Sequence, residues 1–113
     1  MKKWYGLWIN GKEVPAKSGK SFALLNPSNQ EELCQIAAGD AEDVDEAVRV
    51  ATEAFEDGRW ADLAPREKCR IMYRAAQLLR ERLDHIIEIE VRSTGRPIKE
   101  MRAQIPRVAE WLE

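Results

Sequence analysis

Histidine is almost absent, with His85 alone, and cysteine is limited to Cys34 and Cys69 with no CxxC pair. Structural zinc sites and thioredoxin-like redox motifs need closely spaced thiols or imidazoles, so both are excluded and no metal is assigned. No apolar run approaches the roughly 20 residues that span a bilayer. The amino terminus, Met1-Lys2-Lys3-Trp4-Tyr5, leads into no apolar stretch of signal-peptide length. Positive charge is not in excess either: 18 Lys and Arg stand against 20 Asp and Glu, for a net charge of -2. That balance removes the electrostatic footprint of a nucleic-acid binder or an anionic-membrane binder. Gly6, Gly11, Gly19, Gly39, Gly58 and Gly95 are scattered and form neither GxGxxG nor GxxxxGK, so no phosphate cradle is recognisable. These absences lead to the expectation of a soluble, cytoplasmic protein with reduced thiols and with neither nucleic acid nor membrane as partner.

What is present is a globular composition, 44% hydrophobic and 34% charged, in 113 residues. That is enough for one core, and it falls short of a complete dinucleotide enzyme, because each βαβ unit takes roughly 30 residues. The hydrophobic period changes near residue 40, from strand-like over 1–39 to helical over 40–113. Leu7-Trp8-Ile9, then Asn10-Gly11, then Lys12-Glu13-Val14 predicts a hairpin, since a type I′ turn requires positive φ at both central residues. Ser21–Leu25 and Glu32–Ala37 predict further strands, giving three or four in all. In the last of them Cys34 and Ile36 face opposite to Leu33, Gln35 and Ala37, so one buried face is expected.

Asp40 is placed to cap a helix running from about residue 41 to 56, with Glu42 and Asp43 near its positive dipole end. Val44, Ala47, Val48, Ala51 and Phe55 form its apolar stripe, and Gly58 is its stop signal. Pro65 suits the first turn of the next helical stretch. Its apolar face runs through Ile71, Ala75, Leu78, Leu79, Leu83, Ile86, Ile87 and Val91, with Asp84 as a possible interruption and cap between one long helix and two. Gly95-Arg96-Pro97 closes it. The last segment, Ile98 to Glu113, carries Met101, Ile105, Val108 and Trp111 or Leu112, with Pro106 bending or restarting the helix. It offers no closing turn signal, which reads as a truncated helix.

Few residues invite a chemical role. Cys69, between Lys68 and Arg70, has the more activating surroundings of the two thiols, but the lone His85 is about four helical turns away. Both cysteines therefore read as core residues and His85 as a surface or helix-joint residue. The arginines from Arg66 to Arg82 are interleaved with Glu67 and Glu81 and read as a solvated face. Trp4, Trp8, Trp60 and Trp111 read as packing anchors.

The order and spacing of three segments then point to a family. Leu7-Trp8-Ile9-Asn10-Gly11-Lys12-Glu13-Val14, Ser18-Gly19-Lys20-Ser21-Phe22 and Asn26-Pro27-Ser28-Asn29-Gln30-Glu31 resemble the amino-terminal opening of the aldehyde dehydrogenase superfamily. The resemblance continues through Ala41–Val48, Ala54-Phe55, Trp60, Pro65–Lys68, Leu78-Leu79 and Thr94–Pro97, and so covers essentially the whole chain. It implies an NAD(P)-dependent oxidoreductase in which a cysteine attacks the aldehyde, an asparagine amide and a backbone N–H hold the oxyanion, and a glutamate activates water. Those motifs lie beyond residue 113 of this chain, and neither Cys34 and Cys69 nor Glu42, Glu67 and Glu88 match them. The resemblance thus assigns no catalytic, cofactor-binding or metal residue here. It also implies a cation-holding Asp near the start of the last helix, where this sequence has Gln104.

The fold expected is α+β: an amino-terminal hairpin or small antiparallel sheet followed by three to four helices, forming part of the cofactor-binding domain of a Rossmann-like α/β enzyme. The function expected is that of an amino-terminal fragment of an aldehyde dehydrogenase that uses NAD or NADP, inactive alone and binding no cofactor itself. The alternative is a stand-alone helical interaction module on the same scaffold. Its partner would be a second copy or a full-length family subunit, held through the stripes Val44/Val48/Phe55 and Ile98/Met101/Ile105/Val108/Trp111.

Overall fold

The computed structural model describes residues 1–113 and divides into two compact units, Met1–Leu25 with Gln30–Asp62, and Asn26–Asn29 with Leu63–Glu113. In the first unit five strands precede one helix: β1 (Trp4–Tyr5), β2 (Leu7–Ile9), β3 (Lys12–Val14), β4 (Ser21–Leu25), β5 (Glu32–Ala37) and α1 (Ala41–Glu56). The hairpin forms where expected, with β2 and β3 antiparallel and with Asn10 at φ 52 and Gly11 at φ 70. The other sheet differs from the expected antiparallel one. Its order is β1-β5-β4, with β4 antiparallel to β5 but β1 parallel to it, Trp4 opposite Gln35 and Tyr5 opposite Ile36. β1 is two residues long, too short for a hydrophobic period to register, which is why it escapes a sequence reading.

The expected single buried face of β5 is also not what forms. Cys34 and Ala37 are both buried although they point to opposite faces of the strand, so both faces of the central strand are covered. A register shift places Leu25 opposite Glu32 and Leu24 opposite Cys34, leaving Leu33 unopposed as a bulge.

The α1 helix spans the residues its pattern predicts, and it starts in a reciprocal cap. Asp40 accepts from the Glu42 amide at 3.2 Å, and the Asp43 carboxylate accepts from the Asp40 amide at 3.1 Å. The second Asp43 oxygen accepts from the Lys17 amide at 3.0 Å, tying the loop after β3 to the helix start. Asp43 is the one buried charged side chain, and these amide donors are what make its burial tolerable.

The second unit is helical, with α2 (Pro65–Glu81), α3 (Leu83–Thr94) and α4 (Ile98–Glu110). Pro65 sits in the first turn of α2, as predicted. The long apolar face breaks into two helices at Arg82, φ -111 and ψ 11, so Asp84 lies inside the first turn of α3 and makes no capping hydrogen bond. Gly95 ends α3 in the left-handed region at φ 74. Pro106 neither restarts nor ends α4, which runs through it. The α4 helix ends at Glu110 with Trp111 still in helical conformation, φ -72 and ψ -15, its amide bonding to the Arg107 carbonyl at 3.2 Å. The α4 helix packs on both α2 and α3, and Ala76, Ile87, Met101 and Ala109 form the buried centre. No helix of the chain is long and apolar enough to cross a membrane.

Candidate functional site

The chemical candidates do not converge. Cys34 is buried in β5, and burial together with the neighbouring Glu32 charge pushes its thiol pKa up, so it stays protonated and a poor nucleophile. Cys69 is exposed on α2, which corrects the expectation of a core cysteine; it lies near the start of the helix in an open cleft with Met72, Tyr73, Trp111 and Leu112. His85 is exposed on α3, as predicted. Glu67 pairs with Arg70 at 2.6 Å and Glu88 with Arg92 at 3.2 Å, so these carboxylates serve surface ion pairs. Arg74 pairs with Glu81 at 3.3 Å and Arg80 with Glu113, in keeping with a solvated face rather than a polyanion site.

A dinucleotide does not fit the residues present. At the one strand-to-helix junction, from β5 through Ala38-Gly39-Asp40 into α1, the Asp40 carboxylate takes the Glu42 amide and the Asp43 carboxylate takes the Asp40 amide. Negative charge there repels a phosphate where a cofactor site would offer bare N–H groups. The hydrogen bonds hold the Asp43 carboxyl below its ordinary value of 3.8, the Asp40 amide contributing most and the Lys17 amide next. The expected Gln104 is likewise engaged: its amide oxygen accepts from Arg96 Nη2 at 2.7 Å. No group of three His, Cys, Asp or Glu side chains is placed to hold a metal.

Because the folded pKa of Asp43 is depressed, its contribution to stability is present above pH 3.8 and is lost as pH falls through the lower folded value. Asp43→Asn offers one acceptor in place of two and sets an NH2 against the Lys17 or Asp40 amide. The variant is expected to melt lower than the parent at pH 7, with the difference shrinking as pH is taken below about 4. Thermal midpoints measured between pH 2 and 7 check this; parallel curves for the two proteins would refute it.

What the structure does gather is an exposed apolar face in the first unit. Trp8 on β2 is 72% exposed, Val44 and Val48 on α1 are each 59%, and Phe55 is 82%. Val44, Val48, Ala51 and Phe55 recur at helical spacing and share one side of α1. A shallow cleft of about 340 Å³ between the hairpin and the helix is lined by Trp8, Ala47, Val50, Ala51, Ala54 and Arg59. The covered side of α1 is thus Asp43, Ala47, Val50 and Ala54, while the bulkier stripe faces outward. The tryptophans are not core anchors within this chain: Trp4, Trp8, Trp60 and Trp111 are all exposed, Trp111 at 78%. The second predicted stripe divides, with Met101 buried, Ile105 and Val108 half-buried, and Ile98 and Trp111 exposed. Only the hydrophobic periodicity was readable beforehand; which part of each stripe is covered depends on where the hairpin and neighbouring helices lie.

Comparison with known proteins identifies the family. A family model described as "Aldehyde dehydrogenase family" matches residues 14–113. Aldehyde dehydrogenase 1 of Tanacetum cinerariifolium is 39% identical over 97 residues, which are 86% of this chain and 19% of the relative. The mitochondrial aldehyde dehydrogenase family 2 member B4 of Arabidopsis thaliana is 36% identical over 104 residues, 91% of this chain and 19% of the relative. Among solved structures, the NAD-dependent aldehyde dehydrogenase from Sinorhizobium meliloti superposes with a TM-score of 0.93 at 30% identity, covering 99% of this chain and 22% of that one. The chain therefore spans about a fifth of the length of these relatives. With β4, β5, the capped α1 and the three helices after it all contained in the matched region, the chain belongs to the aldehyde dehydrogenase family.

Proposed function

We propose that this chain is the amino-terminal segment of an NAD(P)-dependent aldehyde dehydrogenase subunit, supplying scaffold rather than chemistry and inactive by itself. The reaction of the complete enzyme is the oxidation of an aldehyde to a carboxylic acid, and the compartment is the cytoplasm. The observation that carries this reading is the near-complete superposition on 22% of a longer enzyme. It is supported by a chain whose two thiols have no histidine beside them, one being buried and protonated. Thiohemiacetal formation needs an accessible activated thiolate, and hydride transfer needs a cofactor cradle that the Asp40 and Asp43 carboxylates oppose. Purified chain mixed with short and aromatic aldehydes and NAD or NADP is expected to show no rise in nicotinamide absorbance above a heat-denatured control. Sustained turnover would overturn the proposal.

A second reading, a stand-alone interaction module that binds another copy or a full-length subunit, is favoured by the exposed Trp8, Val44, Val48 and Phe55. Size-exclusion chromatography separates the two: a concentration-independent monomer counts against self-association.

A further inference from the structure

The tip of the β2–β3 hairpin holds a reactive pair that the dehydrogenase reading does not use. The chain has three asparagines with different successors: Asn10 precedes Gly11, Asn26 precedes Pro27 and Asn29 precedes Gln30. The backbone nitrogen of the next residue can attack an asparagine side chain at Cγ, an intramolecular closure to a five-membered ring that needs an N–H and little bulk on that residue. Pro27 has no N–H, and the Asn26 Oδ1 already accepts from the Ser28 amide at 3.0 Å. Gln30 brings a side chain beside its nitrogen. Gly11 brings none: a Cβ built on it would meet nothing within 4 Å, and its φ is 70. Asn10 and Gly11 are both exposed, the Asn10 carboxamide makes no hydrogen bond, and the Gly11 amide donates to no carbonyl. Asp57-Gly58 offers the same glycine, but the Asp57 carboxylate is held by Arg59 Nε at 2.7 and 3.0 Å, and an ionised carboxylate is a poor electrophile.

We propose that Asn10 is a site of spontaneous deamidation, with the Gly11 nitrogen and water as the only reactants. Hydroxide takes the Gly11 amide proton, the nitrogen forms a bond to Asn10 Cγ, and the Cγ–Nδ2 bond breaks. Nδ2 takes a proton from water and leaves as ammonia. Water then opens the cyclic imide at one of its two carbonyls. Cleavage of the new bond to Cγ gives an ordinary aspartate, whereas cleavage of the bond to the main-chain carbonyl leaves an isoaspartate, in which the chain runs through the side-chain carbons and is one atom longer. Ring closure requires the Gly11 nitrogen to rotate toward the Asn10 side chain, so the tip must open. β2 and β3 are three residues each and pair only with each other, a ribbon that is marginal by itself, so this opening is cheap. Either product sets a new carboxylate beside Lys12 and Lys17, which share with Asn10 a cleft of about 280 Å³. The isoaspartyl product also lengthens a two-residue loop whose geometry fixes the pairing of Ile9 with Lys12 and of Leu7 with Val14.

The test is incubation of the purified chain at pH 7 and at pH 9, followed by peptide mass mapping and by enzymatic methylation of isoaspartate. The Asn10 peptide is expected to gain the mass of an amide-to-acid exchange at least about tenfold faster than the Asn29 peptide, because Gly11 lacks the bulk of Gln30. Its rate should rise from pH 7 to pH 9, since the Gly11 amide must lose a proton. Asn10→Gln, whose longer side chain closes a six-membered ring less readily, should stay unmodified over the same interval. Of the two separated products, the aspartyl form should keep the amide protection of β2 and β3 and the isoaspartyl form should lose it, with α3 and α4 unchanged in both. Reaction at Asn29 as fast as at Asn10 would overturn the proposal. So would reaction at Asn10 only in urea, which would show that the folded turn protects it. Equal protection of the hairpin in both products would overturn the effect on strand pairing.

Discussion

Met101→Ala is expected to lower the stability of the helical unit by about 3 kcal/mol, the middle of the range for removing a large buried aliphatic side chain. Met101 is the largest fully buried side chain of the protein and sits on α4, the helix that packs on both α2 and α3. Truncation removes three heavy atoms from a fully buried site, and close-packed helices relax only partly onto such a gap. With whole-domain stabilities of about 5–15 kcal/mol, a loss of this size should move the melting midpoint by roughly 10–20 °C. Met101→Leu keeps the volume and should cost less than about 1.5 kcal/mol. Thermal and urea unfolding followed by helical circular dichroism check both; an alanine variant within a degree or two of the parent would show that α4 is not the keystone of this unit.

A comparable loss is expected from Gly6→Ala, in the other unit and for a different reason. Gly6 is the single residue between β1, which belongs to the three-stranded sheet, and β2, which belongs to the hairpin. A Cβ there would lie 2.6 Å from the Val14 carbonyl oxygen, 2.6 Å from the Trp4 ring and 2.8 Å from Glu13 Cγ. The tryptophan can turn away, but the Val14 oxygen is backbone of β3 and moves only if the hairpin does. Such a shift also strains the 3.0 Å bond from the Gly6 amide to Glu13 Oε1, whose carboxylate is held at its other oxygen by Lys2 at 2.9 Å. The cost of overpacking of this kind is about 2–3 kcal/mol. Amide exchange should rise across β1 to β3 and remain at the parent level in α3 and α4, whereas unchanged protection of Trp8 and Glu13 would refute the account.

Local rules were enough for much of this molecule. Asn10-Gly11 specifies the hairpin because few other pairs accept two consecutive positive φ values. The bounds of α1 follow from Asp40 at one end and Gly58 beyond the other, and Pro65 and Gly95 mark where α2 begins and α3 ends. The same short-range signals carry the family resemblance, so the family was legible from motif order.

Long-range pairing was not legible. The parallel addition of the two-residue β1 to β5 depends on a partner some thirty positions away, and a strand that short has no period of its own. The second hydrogen bond of Asp43, to the Lys17 amide, could have been suspected from the Asp-x-x-Asp spacing only as a cap, not as a tie to a loop. Helical periodicity places Val44, Val48 and Phe55 on one stripe, but periodicity is a property of a single helix and carries no information about what stands opposite it. Sequence alone determined the elements, their caps and the family. Tertiary structure decided which of the apolar residues are covered, because burial is set by neighbours brought together from distant parts of the chain, and here the hairpin reaches Ala47 and Val50 while leaving Val48 and Phe55 in solvent.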